Sequence, residues 1–437
     1  MERKRGLLAA LFAALFVLSG CSAAEMSALY SLPQAPKEYL QLQTLIDDEI
    51  RSGSEYSAPT AGSLRQSIQL TDLDGDGVNE ALAFLRNGAL QPEICVYRKS
   101  GDAYTAAARI VGNGTAIGRV EYQDLNGDGV FEILVSWEVN AEMRLLKAYA
   151  ISGWKPAVLL TASCADFLIG DLDANGVSDI LALNLDASGG KVDMYTINKL
   201  GDVARRSAKL SASLKTAERF RIAPISGKLP AVVVEGQYSS EDSSHLLTDL
   251  IVYSGGELKN ITLSSLSGDS AAQRHYAVYS TDIDGDGTLD VPFAERAISP
   301  GGSEYYVFDW YSYAGNGERV LCASTYHDYA DGWFFEIPDD WKEGLAIRRE
   351  SADAGARAIV FSMDDPETGE MKDRLTIYTF TDENRTERAV LDGRFALLSS
   401  GTVVYAARLA AAAGETEKQA VADRFHLISS EFNTGTL

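Results

Sequence analysis

Four nine-residue segments concentrate the chemistry of this sequence: Asp72 to Glu80 (DLDGDGVNE), Asp124 to Glu132 (DLNGDGVFE), Asp171 to Asp179 (DLDANGVSD) and Asp282 to Asp290 (DIDGDGTLD). Each has acids or amides at positions 1, 3 and 5, glycine at position 6 and an acid at position 9. A hard divalent cation takes about six to eight oxygens at about 2.3–2.6 Å; alternate residues of a tight loop turn their oxygens inward, and a glycine permits the sharp bend. The donors in the first copy are Asp72, Asp74, Asp76, the carbonyl of Val78 and Glu80, and in the second Asp124, Asn126, Asp128, the carbonyl of Val130 and Glu132. In the third they are Asp171, Asp173, Asn175, the carbonyl of Val177 and Asp179, and in the fourth Asp282, Asp284, Asp286, the carbonyl of Thr288 and Asp290. Oxygen donors without His or Cys select Ca²⁺, and flexible coordination disfavours Mg²⁺, so up to four structural Ca²⁺ ions are expected. Asp, Asn and Gly also build metal-free turns. One register recurring four times favours the cation, with weaker binding expected in the middle copies, where Asn126 and Asn175 replace acids and Ala174 replaces a glycine.

The elements that position these loops repeat with them. A short strand precedes each loop (SIQLT, RVEYQ, FLIG, VYST) and an apolar strand follows it (ALAFL, ILVSW, ILALN, VPFAE). The loops start about 50 residues apart, with one gap of about two periods, which is the spacing of a repeat of about four strands. In that gap Arg221 to Glu235 keeps strand, Gly turn and strand but lacks the acids; it reads as a degenerate copy, with Lys228 where the cation would sit. Five copies over residues 61–330 predict a five-bladed β-propeller, because propeller blades are four-stranded sheets packed face to face. A β-solenoid is the rival, although its repeats are shorter. Residues 331–437 change texture and predict a small α+β domain, with strands near 345–350, 357–363, 374–380 and 402–408 and a helix over Glu415 to Arg424 that turns Ala420 and Val421 inward.

These loops resemble the FG-GAP or VCBS-type repeats of integrin-alpha-like propellers, whose DxDxDGxxD segments bind calcium. The resemblance covers residues of about 61–329 and implies calcium binding; its family spans adhesins, lectin-like binders and some enzymes, so it transfers no single activity. The layout of a basic and apolar N-terminal segment ending in Leu18-Ser19-Gly20-Cys21, a tether, five repeats and a closing domain also resembles lipoproteins of clostridia-like Gram-positive bacteria.

The N-terminus carries an export pattern. Arg3, Lys4 and Arg5 form a basic flank, Leu7 to Leu18 form an apolar run too short to span a bilayer, and Leu18-Ser19-Gly20-Cys21 resembles a lipobox. Residues 1–21 are therefore expected to be a lipoprotein signal, with Cys21 lipidated and the mature chain anchored to the outside of the bacterial cell membrane. Residues 22–60 read as a tether with a short helix, since Leu40, Leu42, Leu45, Ile46 and Ile50 fall near helical spacing; that helix could equally dock on the first folded unit. Cys95, Cys164 and Cys322 are an odd number on separate strands, which excludes a disulfide framework and leaves at most one disulfide among buried thiols.

The chain has 437 residues, 46% hydrophobic, and a formal charge of -23 without basic runs, which argues against nucleic acid as a partner. HExxH, GxSxG and Walker patterns are absent, and only four histidines occur. Gly268-Asp269-Ser270 and the acid pairs Asp339-Asp340 and Asp364-Asp365 are better read as turns than as catalytic groups. Tyr305, Tyr306, Trp310, Tyr311 and Tyr313 offer a stacking surface or core packing, and Arg274-His275-Tyr276 could line a channel. The sequence thus points to a binding or scaffold module for an extracellular protein or glycan, with a polysaccharide hydrolase or lyase as the alternative.

Overall fold

The computed structural model describes residues 37–101, 103–140, 143–187, 189–238, 245–298, 304–351, 356–365 and 369–428. The expected signal and lipobox at residues 1–21, including Cys21, and the tether at 22–36 lie outside the described residues. The chain is mainly β, built of small antiparallel sheets with few helices, and divides into two compact units: Met1–Val120 with Ile151–Ala157, and Glu121–Ala150 with Val158–Leu437.

The first unit opens with helix α1 (Lys37–Arg51), followed by β1 (Glu55–Tyr56), β2 (Ile68–Thr71), β3 (Glu80–Arg86), β4 (Pro92–Ser100) and β5 (Ala103–Val111). The sheet order is β1-β3-β4-β5, with β2 on the same edge of β3 as β1, and the first acidic loop is the connection from β2 to β3. Leu42 and Ile46, one helical turn apart, are buried in a cluster with Ala81, Ala83, Leu85, Cys95 and Tyr97. Residues 37–57 are therefore folded onto this sheet instead of forming a free spacer, with Ser57 donating its N–H to Phe84 O, and Thr60 and Ala61 donate theirs to the carbonyls of Ile117 and Gly118. Leu40, placed on the helical stripe by its spacing, is exposed.

The same plan recurs. The second sheet is β6 (Ala116–Gln123), β7 (Glu132–Glu138), β8 (Arg144–Ser152) and β9 (Lys155–Cys164); the third is β10 (Asp166–Gly170), β11 (Asp179–Asn184), β12 (Lys191–Ile197) and β13 (Val203–Lys209). The fourth is β14 (Thr216–Ile225), β15 (Leu229–Gln237), β16 (Leu246–Ser254) and β17 (Glu257–Asn260), with β18 (Gln273–Arg274) on β16. In the fifth, the strand before the acidic loop is reduced to a bridge between Thr281 and Asp290, ahead of β19 (Asp290–Arg296), β20 (Tyr306–Tyr313), β21 (Arg319–Asp328) and β22 (Trp333–Glu336).

Within the second unit, consecutive sheets stack by their faces. Side chains alternate along a strand, so a strand buried on both faces reads as one apolar run. Ile180 and Ala182 of β11 join Leu134, Leu146 and Ala148 of the second sheet, while Leu181 and Leu183 join Val232, Val234 and Leu247 of the fourth. Ala231 and Val233 of β15 then join Leu289, Val291 and Tyr313 of the fifth. Each such buried Leu or Val contributes roughly 1.5–3 kcal/mol.

The C-terminal sheet is β23 (Leu345–Ser351), β24 (Ala356–Asp364), β25 (Met371–Phe380), β26 (Phe395–Ser400) and β27 (Val403–Leu409), in the order β23-β24-β25-β27-β26, with a short helix α2 (Arg385–Arg388). Helix α3 (Glu415–Asp423) leads to β28 (Phe425–Leu427), which pairs with β22 of the fifth sheet. The boundary expected at residue 331 thus falls inside a sheet, and Trp333 and Phe335 share a core with Ile347, Phe361 and Phe425. Val421 of α3 faces that core, but Ala420 is exposed, because neighbours along a helix point about 100° apart.

Candidate metal centre

The four acidic segments adopt one scaffold. In the first, the N–H groups of Gly75 and Gly77 donate to the two oxygens of Asp72, each at 2.8 Å, and that of Val78 donates to Asp76 Oδ1 at 2.7 Å. The second copy repeats these bonds from Gly127, Gly129 and Val130, and the fourth from Gly285, Gly287 and Thr288. The third keeps those from Gly176 and Val177. The position-6 glycines Gly77, Gly129, Gly176 and Gly287 all have φ between 77 and 87°, the left-handed region that glycine enters without penalty. Ala174 takes φ 58° where the other copies have glycine.

The position-9 acid begins the strand after each loop and is buried. It accepts the N–H of the position-2 residue: Leu73 to Glu80 at 3.0 Å, Leu125 to Glu132 at 2.8 Å, Leu172 to Asp179 at 2.9 Å and Ile283 to Asp290 at 3.1 Å. Burial pushes the carboxyls of Glu80 and Glu132 up to about 7 and those of Asp179 and Asp290 up to about 6, against these amide bonds; neighbouring loop acids raise them further. Backbone amides thus hold one side of each carboxylate and leave the other toward the loop interior.

Convergence differs among the copies. Ligand atoms of Asp72, Asp74 and Glu80, of Asp171, Asp173 and Asp179, and of Asp282, Asp284 and Asp286 each lie within 4.8 Å of one another, so these three loops could hold a metal ion. Asp179 Oδ1 is buried without a hydrogen-bond partner, on a side chain only 1% exposed. An orphaned carboxylate oxygen inside a ring of acids fits a cation. In the second loop the amide of Asn126 instead donates to Glu132 Oε1 at 2.9 Å, and its own oxygen accepts the N–H of Asp128 at 2.9 Å. That loop satisfies its buried acid internally.

The degenerate copy has lost the loop altogether: a three-residue turn, Ser226–Lys228, joins β14 to β15. Lys228 stands away from its own turn and reaches the carbonyl of Asp286 in the last acidic loop at 2.5 Å. Cys322, which the sequence did not assign to any site, approaches Asp284 and Asp290 within the same 4.8 Å limit. It is the extra residue of a β-bulge, since Trp310 pairs with Ala323 and Tyr311 with Leu321, and the bulge turns its thiol toward the loop. Cys95, Cys164 and Cys322 are all free thiols.

A second series of buried acids sits one strand further on. Glu93 of β4 pairs with Arg109 at 2.6 Å, Asp193 of β12 with Arg205 at 2.9 Å, and Asp249 of β16 accepts Ser211 N–H and Oγ–H at 2.8 and 2.7 Å. A sequence signal exists for part of this series: Glu93 and Asp249 are each followed four residues later by a tyrosine, Tyr97 and Tyr253.

The other candidates are packing groups. Trp310 and Tyr313 are buried, the indole donating to Thr325 Oγ1 at 2.7 Å, and Tyr305 accepts Arg349 N–H at 3.0 Å. Arg274 is fully buried and paired with buried Glu235 at 2.9 Å, while the hydroxyl of Tyr238 lies 3.2 Å from His275 Nδ1 and Tyr276 packs on Tyr306. Ser270 Oγ donates to Thr248 O at 2.6 Å, Asp339 pairs with Lys342, and Asp365 with Lys372. Among the described residues no helix is long and apolar enough to cross a membrane.

No family model and no curated protein matches the chain. The crystal structure of a protein from Lactobacillus plantarum, a structural-genomics target, is similar over 72% of this chain and 85% of that chain, at 11% identity and a TM-score of 0.30.

Proposed function

We propose that this chain is an exported lipoprotein, anchored through Cys21 to the outer face of the cell membrane. Its five repeating sheets are propeller-type blades of the FG-GAP or VCBS kind, stabilised by Ca²⁺, and the protein serves as a binding or scaffold module for an extracellular glycan or protein. The observation that carries the reading is the shared loop scaffold, in which backbone amides orient ringed carboxylates around a buried position-9 acid. Three loops are assigned cations, those beginning at Asp72, Asp171 and Asp282; in the second the Asn126 amide bonds Glu132 Oε1 instead. Ca²⁺ would be held by the carboxylates and would turn their mutual repulsion into cohesion at the start of each blade's second strand.

The test is calorimetric titration of the purified chain with Ca²⁺, paired with thermal melts in Ca²⁺ and in EGTA. Uptake of three ions with millimolar or tighter affinity and a higher melting temperature in Ca²⁺ supports the reading. No heat of uptake overturns it. Labelling of the expressed chain with radioactive palmitate, lost in Cys21→Ser, tests the anchor.

A further inference from the structure

We propose that a hollow of about 400 Å³ beside the third acidic loop is a binding site for the uronic-acid unit of a glycan. The inference rests on the calcium reading for that loop and names the class of ligand the module takes. The floor is formed by Asn126 of the second loop and by Asp173 and Asn175 of the third; Lys199, Asp202 and Arg206 of the β12–β13 hairpin form the wall. Asp173 belongs both to this hollow and to the acidic ring that encloses the orphaned oxygen of Asp179, so a cation in the ring and a ligand in the hollow share a side chain.

The lining selects the ligand by charge. Asp202 and the ring acids Asp171, Asp173 and Asp179 outnumber Lys199 and Arg206 by two charges, and a divalent cation in the ring brings the sum to zero, so the hollow admits an anion only once the loop is filled. Among the described residues no hydrogen bond or ion pair engages the Lys199 ammonium. Arg206 is held in place, its Nε donating to Gly256 O at 2.9 Å and its guanidinium lying 5.3 Å from the ring centroid of Tyr253. Lys199 is therefore the available cation of a hollow bordered by an acidic loop, with Arg206 fixed at its edge, which suits a carboxylate. The rest of the lining suits hydroxyls. Asn175 accepts the N–H of Val177 at 2.7 Å through its oxygen, which leaves its amide nitrogen as a donor, and Thr196 adds a hydroxyl. A carboxylate on a polyhydroxyl ring meets both demands. The hairpin is set by Asn198, whose oxygen accepts the N–H groups of Leu200 and Asp202, each at 2.9 Å, so the wall exists without ligand.

The experiment is calorimetry or saturation-transfer NMR of the full chain with D-glucuronate and, separately, D-glucose, in Ca²⁺ and in EGTA, corrected for Ca²⁺ binding by glucuronate in buffer. D-Glucuronate is expected to bind in Ca²⁺ and D-glucose not. Lys199→Glu should weaken glucuronate about tenfold or more, as loss of a charged contact does, and Lys418→Glu on α3, outside the hollow, should leave it unchanged. Equal binding of both sugars, no binding of glucuronate, or full retention in Lys199→Glu overturns the site. If Ca²⁺ is taken up but glucuronate is not, this inference fails and the calcium reading stands; if Ca²⁺ is not taken up, the calcium reading fails. Glucuronate binding that survives EGTA overturns the shared role of Asp173.

Discussion

Asn126→Asp should convert the second loop from a self-satisfied turn into a cation site, and it does so through one atom. In the native loop the Asn126 amide donates to Glu132 Oε1 at 2.9 Å in a buried setting, a bond to a charged acceptor worth about 1.5–3 kcal/mol. The substitution replaces that donor with a carboxylate beside Glu132, Asp124 and Asp128, and Glu132 is already held up near 7 by burial. Without metal the variant should therefore be less stable by about 2 kcal/mol, more if repulsion adds to the lost bond. With Ca²⁺ at 10 mM and a dissociation constant of about 10⁻⁴–10⁻³ M, the new site returns about 1.4–2.7 kcal/mol. The variant should thus unfold earlier than the native chain in EGTA and come close to it in Ca²⁺, while calorimetric stoichiometry rises from three to four. Urea unfolding under both conditions reads the stability and titration reads the count. The reasoning is refuted if the count stays unchanged, or if Asp124→Ala lowers the count of the native chain, since the second loop would then already hold an ion.

Three further outcomes follow from the packing. His327 is buried against Phe308, Phe334 and Trp310, which pushes its imidazole down to about 3 from an ordinary value near 6.5. The unfolded chain takes up this proton first, so the stabilisation is complete above about pH 6.5 and falls by up to about 1.4 kcal/mol per pH unit below it; urea unfolding from pH 7 to 4 should show a smaller loss in His327→Gln. Gly236 faces the bulge of β14, and a Cβ there would lie 1.8 Å from Thr216 O, so Gly236→Ala should cost on the order of 3 kcal/mol by the same assay. Ala174→Gly should raise the melting temperature, because relief of a left-handed backbone is worth roughly 1–2 kcal/mol before the added chain entropy of glycine; a lower melting temperature would show that the loop backbone is not strained there.

What could be read from the sequence was what depends on local spacing. A loop that rings carboxylates must carry them on alternate residues whatever surrounds it, so Asp72, Asp74 and Glu80 announce themselves, as does the run Ile180 to Leu183 that must be buried on both faces. What stayed hidden depends on partners brought from elsewhere or on a single bond direction. Asn126 and Asp74 occupy the same position, yet one donates to the position-9 acid and the other only accepts, and this chemical difference separates a closed turn from an open ring. The stripe of Leu42 and Ile46 shows that α1 has a buried face but not that the alanines of β3 receive it. Cys322 reaches the last loop only because a bulge shifts the register of β21, and Lys228 serves a loop other than its own. The edge strand β26 half-buries only Phe395 and Leu397, and its sequence FALLSS runs apolar residues together instead of alternating them with polar ones, so the strand leaves little pattern to find. The same distinction holds at the third loop: the acidic ring is local and therefore legible, whereas the hollow beside it has Arg206 at its edge, fixed by Gly256 from another sheet, an arrangement that only the stacking of sheets creates.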